Sequence, residues 1–154
     1  MKRIVLALLV LVPLVGIAYW VRACPCDRTP GVYLWGPEVA ERITDWSMAN
    51  QVPLCQVQVS TPLLPQALNL NCWADDKGVL YLSCSGCAEK RWSNAAVANN
   101  QGRLRVGTNV YPVTLTRVTD EAELDAAWKT RAMKVGGGNA VRLADWWSFR
   151  VASR

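Results

Sequence analysis

Residues 4–21 form the longest apolar run of the chain and carry no charge, with Lys2 and Arg3 ahead of them and Arg22 behind. A membrane span needs about 20 mostly apolar residues, with a lower limit of about 17. The run therefore predicts a membrane-spanning segment, and the two leading cations place the rest of the chain outside the cytoplasm, in the periplasm or its equivalent. Three fates compete for it. Tyr19, Trp20 and Arg22 have the character of interface residues and favour a retained signal anchor. The small residue that ends Val21-Arg22-Ala23 suits cleavage as a signal peptide. Val21 and Ala23 before Cys24 suit lipidation of that cysteine, although Arg22 does not. A buried core helix is the structural alternative; two cations followed by an uncharged run speak against it.

Beyond this run the periodicity changes. Residues 24–36, rich in Cys, Pro and Gly, read as a linker. A helix is expected from Pro37, a residue suited to the first helical position. Val39, Ile43 and Trp46 would form its apolar face, and it would end near Asn50, before Pro53. Strict alternation follows. Cys55, Val57 and Val59 point one way, Gln56 and Gln58 the other. Residues 60–66 hold two prolines and read as a loop. In 67–74, Leu68, Leu70 and Cys72 share a face opposite Asn69, Asn71 and Trp73. Asp75-Asp76-Lys77-Gly78 is a hairpin turn into a strand over 79–84, with Leu80, Leu82 and Cys84 on one face. Matching the two apolar faces requires an odd loop and a glycine bulge at Gly78. Cys72 then lies opposite Leu80 or Leu82, and it should not pair with Cys84.

A short helix is expected over 89–99. A second hairpin joins 103–106 to 110–118 through Gly107-Thr108-Asn109, with Pro112 marking an edge or a bulge. A last helix begins at Asp120, with Glu123 completing a capping box. Leu124, Ala127 and Trp128 form its buried face, and Gly136 ends it. Gly136-Gly137-Gly138-Asn139 reads as a flexible loop, and 146–151 as a final strand. The organisation is an N-terminal segment (1–23), a linker (24–36) and one domain (37–154). The class is α+β, mainly antiparallel β with flanking helices, suggesting a small closed barrel.

Charge and composition narrow the chemistry. The formal charge is +5, but Lys2, Arg3 and Arg22 belong to the N-terminal segment. The remainder has 17 − 3 = 14 cations against 12 anions, or +2. That gives no nucleic-acid footprint. The absence of histidine excludes Ser-His-Asp and Cys-His catalysis and histidine-ligated metal or haem. The six cysteines, Cys24, Cys26, Cys55, Cys72, Cys84 and Cys87, read as disulfides in an exported domain, with connectivity left open. An all-cysteine zinc site from Cys24, Cys26, Cys84 and Cys87 ranks below that. Cys84-Ser85-Gly86-Cys87 could be a redox dithiol, but it ends a hairpin strand rather than opening a helix in a βαβ unit, which favours a structural role. Eight tryptophans against one phenylalanine point first to packing and second to a stacked flat ligand.

Four stretches then carry a resemblance: Gly78-Val79-Leu80-Tyr81-Leu82-Ser83, Lys90-Arg91-Trp92, Ala98-Asn99-Asn100 and Leu104-Arg105-Val106-Gly107. With the element order, over residues 54–151, they resemble the split β-barrel flavin-binding proteins: the pyridoxamine-phosphate-oxidase-like proteins and the deazaflavin-dependent nitroreductases. The resemblance implies a split β-barrel, a homodimer, and FMN or a deazaflavin (F420) as cofactor. It also implies hydride transfer to a small oxidised substrate such as a quinone or nitro compound. Lys90 or Arg91 would fill the phosphate-binding place at the helix start, with Trp92 and Trp73 as stacking surfaces. Ser83 and Ser85 are further candidate cofactor contacts. One departure stands out. The deazaflavin branch grips phosphate with a Gly-Arg-Lys stretch before its second strand, where this chain has Thr61-Pro62-Leu63-Leu64-Pro65-Gln66. The competing reading is a barrel without cofactor, serving as a disulfide-stapled binding module in the cell envelope. Lys90 and Arg91 would then be solvated cations, although cations at a helix start oppose its dipole.

Overall fold

The structure is a computed structural model. It describes residues 2–136 and 141–154, without the side chains of residues 2, 3, 5 and 6. The glycine-rich loop expected after Gly136 lies largely outside the described residues.

Alternating sequence gives six strands: β1 (Cys55–Val59), β2 (Gln66–Ala74), β3 (Leu80–Cys84), β4 (Gln101–Val106), β5 (Asn109–Arg117) and β6 (Trp147–Ser153). All neighbours pair antiparallel, in the closed order β1-β2-β3-β6-β5-β4. Closure leaves no sheet edge, and the inward positions fill the interior with side chains. Val57, Leu80, Leu82, Leu104, Val113 and Phe149 form its centre, each fully buried. Among the described residues three α-helices accompany the barrel: α1 (Lys2–Ala23), α2 (Arg91–Ala98) and α3 (Glu121–Val135). α2 follows β3 and sends Trp92 and Ala96 into the core. α3 covers a second apolar cluster on the outside of β2, β3 and β6.

The β2–β3 hairpin has the expected odd loop. Ala74 faces Leu80 and Cys72 faces Leu82, so five residues connect the strands. Gly78 sits there at φ +77°, and a Cβ at that position would lie 2.6 Å from Asp45 Oδ1. Both conditions call for glycine. In the second hairpin Asn109 already belongs to β5, facing Val106, so the turn is Gly107-Thr108 alone. Pro112 lies just outside the stretch of β5 that pairs with β6, which begins at Val113. There its missing N–H costs the ladder nothing.

The cysteines pair as Cys24–Cys26, Cys55–Cys72 and Cys84–Cys87. Cys72 and Cys84 do not pair, as their register requires. The four cysteines of the zinc reading fall into two separate disulfides.

Two expectations fail for tertiary reasons. The helix expected from Pro37 to Asn50 is not formed. Residues 37–46 instead run as a strap along the barrel. Val39 N–H donates to the Val110 carbonyl (2.8 Å), Val110 N–H to the Pro37 carbonyl (2.9 Å) and Trp46 N–H to the Gly78 carbonyl (3.0 Å). Those bonds occupy groups a helix would need, and only Ser47–Gln51 turns as a 3₁₀ helix. Val39, Ile43 and Trp46 still pack on the core, so their spacing reported contact rather than conformation. The helix expected over 89–99 is also divided: a 3₁₀ turn at Cys87–Glu89 precedes α2, and Lys90 is extended between them.

The capping box on α3 is half formed. The Asp120 carboxylate accepts from Glu123 N–H at 2.8 Å. The Glu123 carboxylate turns to the barrel, accepting from Tyr81 Oη at 3.0 Å and from the Arg150 guanidinium. Burial first, and the Glu123 carboxylate second, push the Tyr81 hydroxyl up to about 12.

Much of α1 is uncovered: Leu8, Leu9, Val12, Leu14, Val15 and Ile17 are more than half exposed. Among the described residues no helix is long and apolar enough to cross a membrane. The span expected over 4–21 takes in residues 5 and 6, whose side chains are outside that set.

Candidate functional site

The start of α2 is the natural place to look for an anion site, because the first N–H groups of a helix have no partners inside it. Lys90 is the N-cap, extended at φ −93°, ψ 130°, and no side chain caps the helix. Lys90 and Arg91 are both exposed. Arg91 Nη2 donates to Thr61 Oγ1 at 3.3 Å.

Facing them is a loop, 24–31, that the linker reading did not anticipate as structured. It is hung on β2 as an extra rung: Gly31 N–H donates to the Ala67 carbonyl (2.7 Å) and Ala67 N–H returns the bond (2.9 Å). Asn69 Nδ2 holds the Asp27 carbonyl (2.7 Å) and Gln56 Nε2 the Pro25 carbonyl (3.0 Å). Gly31 is required, since a Cβ there would meet the Cys24 carbonyl oxygen at 2.2 Å.

Between this loop and α2 lies a groove of about 650 Å³. Leu54, Leu68 and Leu70 give it an apolar lining. Arg28, Lys90 and Arg91 rim it, and Asp27 is its acidic residue. Gln66 stands at one side with its carbonyl oxygen buried and without a hydrogen-bond partner. Three cations with an apolar lining suit an anion that carries a flat apolar part.

The expected site residues divide. Lys90, Arg91 and Trp92 line the groove together. Trp92 does so with little surface, because it is 2 % exposed and its ring lies 5.3 Å from Phe149 in the core. Ser83 and Ser85 do not line it. Ser83 is buried on β3 opposite Ser148. Ser85 is exposed in the turn where Gly86 N–H donates to Asp145 Oδ2 (2.8 Å). Trp73 corrects the sequence reading outright. Its face of β2 is covered by α3, leaving it 1 % exposed between Tyr81 and Trp146. It packs in that cluster and does not line the groove.

Arg28 and the leucine lining were not legible in the sequence. Alternation puts Leu68 and Leu70 on one face with Cys72; Leu68 is only partly buried, and both border the groove. Segment 61–66 has no cation, and Arg28, about 35 residues earlier in the chain, lines the groove.

No protein-family model and no curated protein matches the chain. Solved structures do. A candidate pyridoxamine 5′-phosphate oxidase from Listeria innocua superposes with a TM-score of 0.58 at 10 % identity, covering 70 % of this chain and 88 % of its own. A candidate 5-nitroimidazole antibiotic resistance protein from Bacteroides thetaiotaomicron gives 0.52 at 12 % identity, covering 86 % and 92 %. An FAD-binding protein from Mesorhizobium loti gives 0.51 at 14 % identity, covering 70 % and 85 %. With its closed six-stranded antiparallel barrel, this chain shares the split β-barrel fold of these solved structures.

Proposed function

We propose that the domain binds a flavin-type cofactor, FMN or a deazaflavin, in the groove between loop 24–31 and α2, and serves hydride transfer to a small oxidised substrate. The observation that carries this is one groove lined by Arg28, Lys90 and Arg91 together with Leu54, Leu68 and Leu70, at a helix start that the Lys90 side chain does not cap. The residues fit such a group. The three cations would hold its phosphate, the leucines would take one face of its ring, and the unpartnered Gln66 oxygen offers an acceptor for a ring N–H. A flavin-type group supplies the hydride chemistry when bound; the protein's part is to bind, orient and exclude water. The similar structures include one named as FAD-binding, which supports a flavin-type ligand without choosing among them.

The non-catalytic binding module is the second reading, favoured by the commitment of Trp73, Trp92 and Ser83 to packing. One titration separates the two. FMN and a deazaflavin are titrated against wild type and against Lys90→Ala and Arg91→Ala, followed by tryptophan quenching. Wild type should bind one of them well below millimolar, where affinity is roughly −4 kcal/mol. Each substitution should weaken binding by roughly 1.5–3 kcal/mol, the range for a hydrogen bond to a charged group. Thermal stability without ligand should stay nearly constant, because exposed cations contribute little to folding. Millimolar or weaker binding of both ligands by wild type sinks the cofactor reading.

We propose further that α1 anchors the domain to the outer face of the cytoplasmic membrane. Its uncharged sequence after Lys2 and Arg3, and the outward display of its leucines and valines, support this. A reporter active only outside the cytoplasm, fused after Arg154, should be active, and a cytoplasm-only reporter silent. The reverse pattern contradicts export.

A further inference from the structure

The C-terminal end of α1 does not leave the domain freely. Trp20 Nε1 donates to the Pro30 carbonyl and Trp35 Nε1 to the Val21 carbonyl, both at 3.0 Å. The Arg22 guanidinium lies over the Trp35 ring, 5.4 Å from its centre. These contacts fasten the last turn of α1 to loop 24–31, which β2 holds in place, and to Trp35, whose carbonyl accepts from Arg105 of β4 at 2.8 Å. Beside that turn stands the connection 61–65. Leu63 is 87 % exposed and Leu64 57 % exposed. Trp20, Leu63 and Leu64 line one cleft, together with Arg91.

The two leucines are displayed rather than loosely placed. Pro62 and Pro65 fix backbone on either side of them, and Thr61 Oγ1 donates to the Leu64 carbonyl. A single exposed leucine needs no explanation. Two adjacent ones, held outward beside the end of an apolar helix among indoles and arginines, have the composition of a membrane interface. Arg22 over Trp35 and Arg28 in the adjoining groove add positive charge, and among the described residues no acidic residue lines the cleft of Trp20, Leu63 and Leu64.

We propose that loop 61–65, with Trp20 and Trp35, docks the barrel onto the lipid surface. Leu63 and Leu64 enter the headgroup boundary, and Arg22 and Arg28 face anionic headgroups. This rests on the reading of α1 as a membrane span. Its consequence is an orientation. Pro30, Gln66 and Arg91 line both this cleft and the larger groove, so the groove opens beside the bilayer rather than away from it.

The test uses the full chain in vesicles of phosphatidylcholine and phosphatidylglycerol. The native cysteines are paired, so an introduced thiol takes a nitroxide selectively. Labels are placed singly at Leu63→Cys, at Val12→Cys within α1, and at Met133→Cys on α3. Leu64→Cys repeats the loop measurement should Leu63→Cys disturb it. Collision with oxygen should exceed collision with a water-soluble nickel chelate at positions 12 and 63, with the order reversed at 133. Position 12 in lipid with position 63 in water overturns the docking and leaves the span standing. Both in water overturns the span and the docking with it. Low collision with both reagents at position 63 means that protein covers the loop, as a second copy would, and also overturns the proposal.

Discussion

Replacing Trp73 with alanine should destabilise the domain by about 3–5 kcal/mol, the range for deleting a large buried aromatic side chain, and should leave ligand affinity per folded molecule unchanged. The ring is the centre of the cluster under α3. It stacks on Tyr81 at 6.0 Å and 18° and on Trp146 at 6.2 Å and 22°, while Trp128 meets Trp146 edge-on at 5.2 Å. Truncation removes the layer between α3 and the barrel wall, and the rigid strands of the closed barrel can collapse only partly into the space. Trp73 Nε1 is buried without a partner, so Trp73→Phe, which keeps a ring and deletes that N–H, should cost clearly less. Urea denaturation gives the stabilities and the flavin titration the affinities. A stable Trp73→Ala protein that had lost ligand affinity would return Trp73 to the site and overturn the packing assignment.

The second large effect concerns Cys55–Cys72, which ties β1 to β2 across a sequence separation of 17. Both residues are 0 % exposed. In the chain-entropy account, opening a loop of this size costs about 3 kcal/mol of stability. Removing both sulfurs by Cys55→Ala and Cys72→Ala also leaves space in the core, which adds to the loss. The Cys84–Cys87 bond spans a separation of only 3, so Cys84→Ala with Cys87→Ala should cost distinctly less. Urea midpoints of the two double variants make the comparison. Thiol labelling of denatured, unreduced wild type should find no free cysteine; six labelled thiols would remove the basis of both numbers.

How much of the barrel was legible follows from what each pattern measures. Cys55, Val57 and Val59 alternate with glutamines because one side of β1 meets the interior, and that side is the same wherever the strand lies in the barrel. The odd β2–β3 loop followed from parity alone. The strap at residues 37–46 was misread because spacings of four and three record which residues touch the core, and an irregular segment tied down by β5 can bring the same three side chains inward. Trp73 was misread for a related reason. Alternation says which residues share a face, but not whether the second face is wet, and α3 covers it.

The site shows the same division. Lys90 and Arg91 could be singled out as candidates in the sequence because a cation pair at a helix start is electrostatically out of place unless an anion compensates it. Arg28 and the lining of Leu54, Leu68 and Leu70 could not, because each of them looks ordinary in its own segment. By itself the sequence determined the strands, the register constraint of the β2–β3 hairpin, the capped helix over 121–135 and the apolar N-terminal run, all of which depend on neighbours a few residues away. Only the tertiary structure decided which cysteines pair, which tryptophans are spent on packing, and that a supposed linker folds back onto β2 to face the start of α2. Those outcomes depend on contacts between residues far apart in the chain, such as Gly31 with Ala67 and Asn69 with Asp27, and local pattern carries no record of a long-range contact until the chain has closed around it.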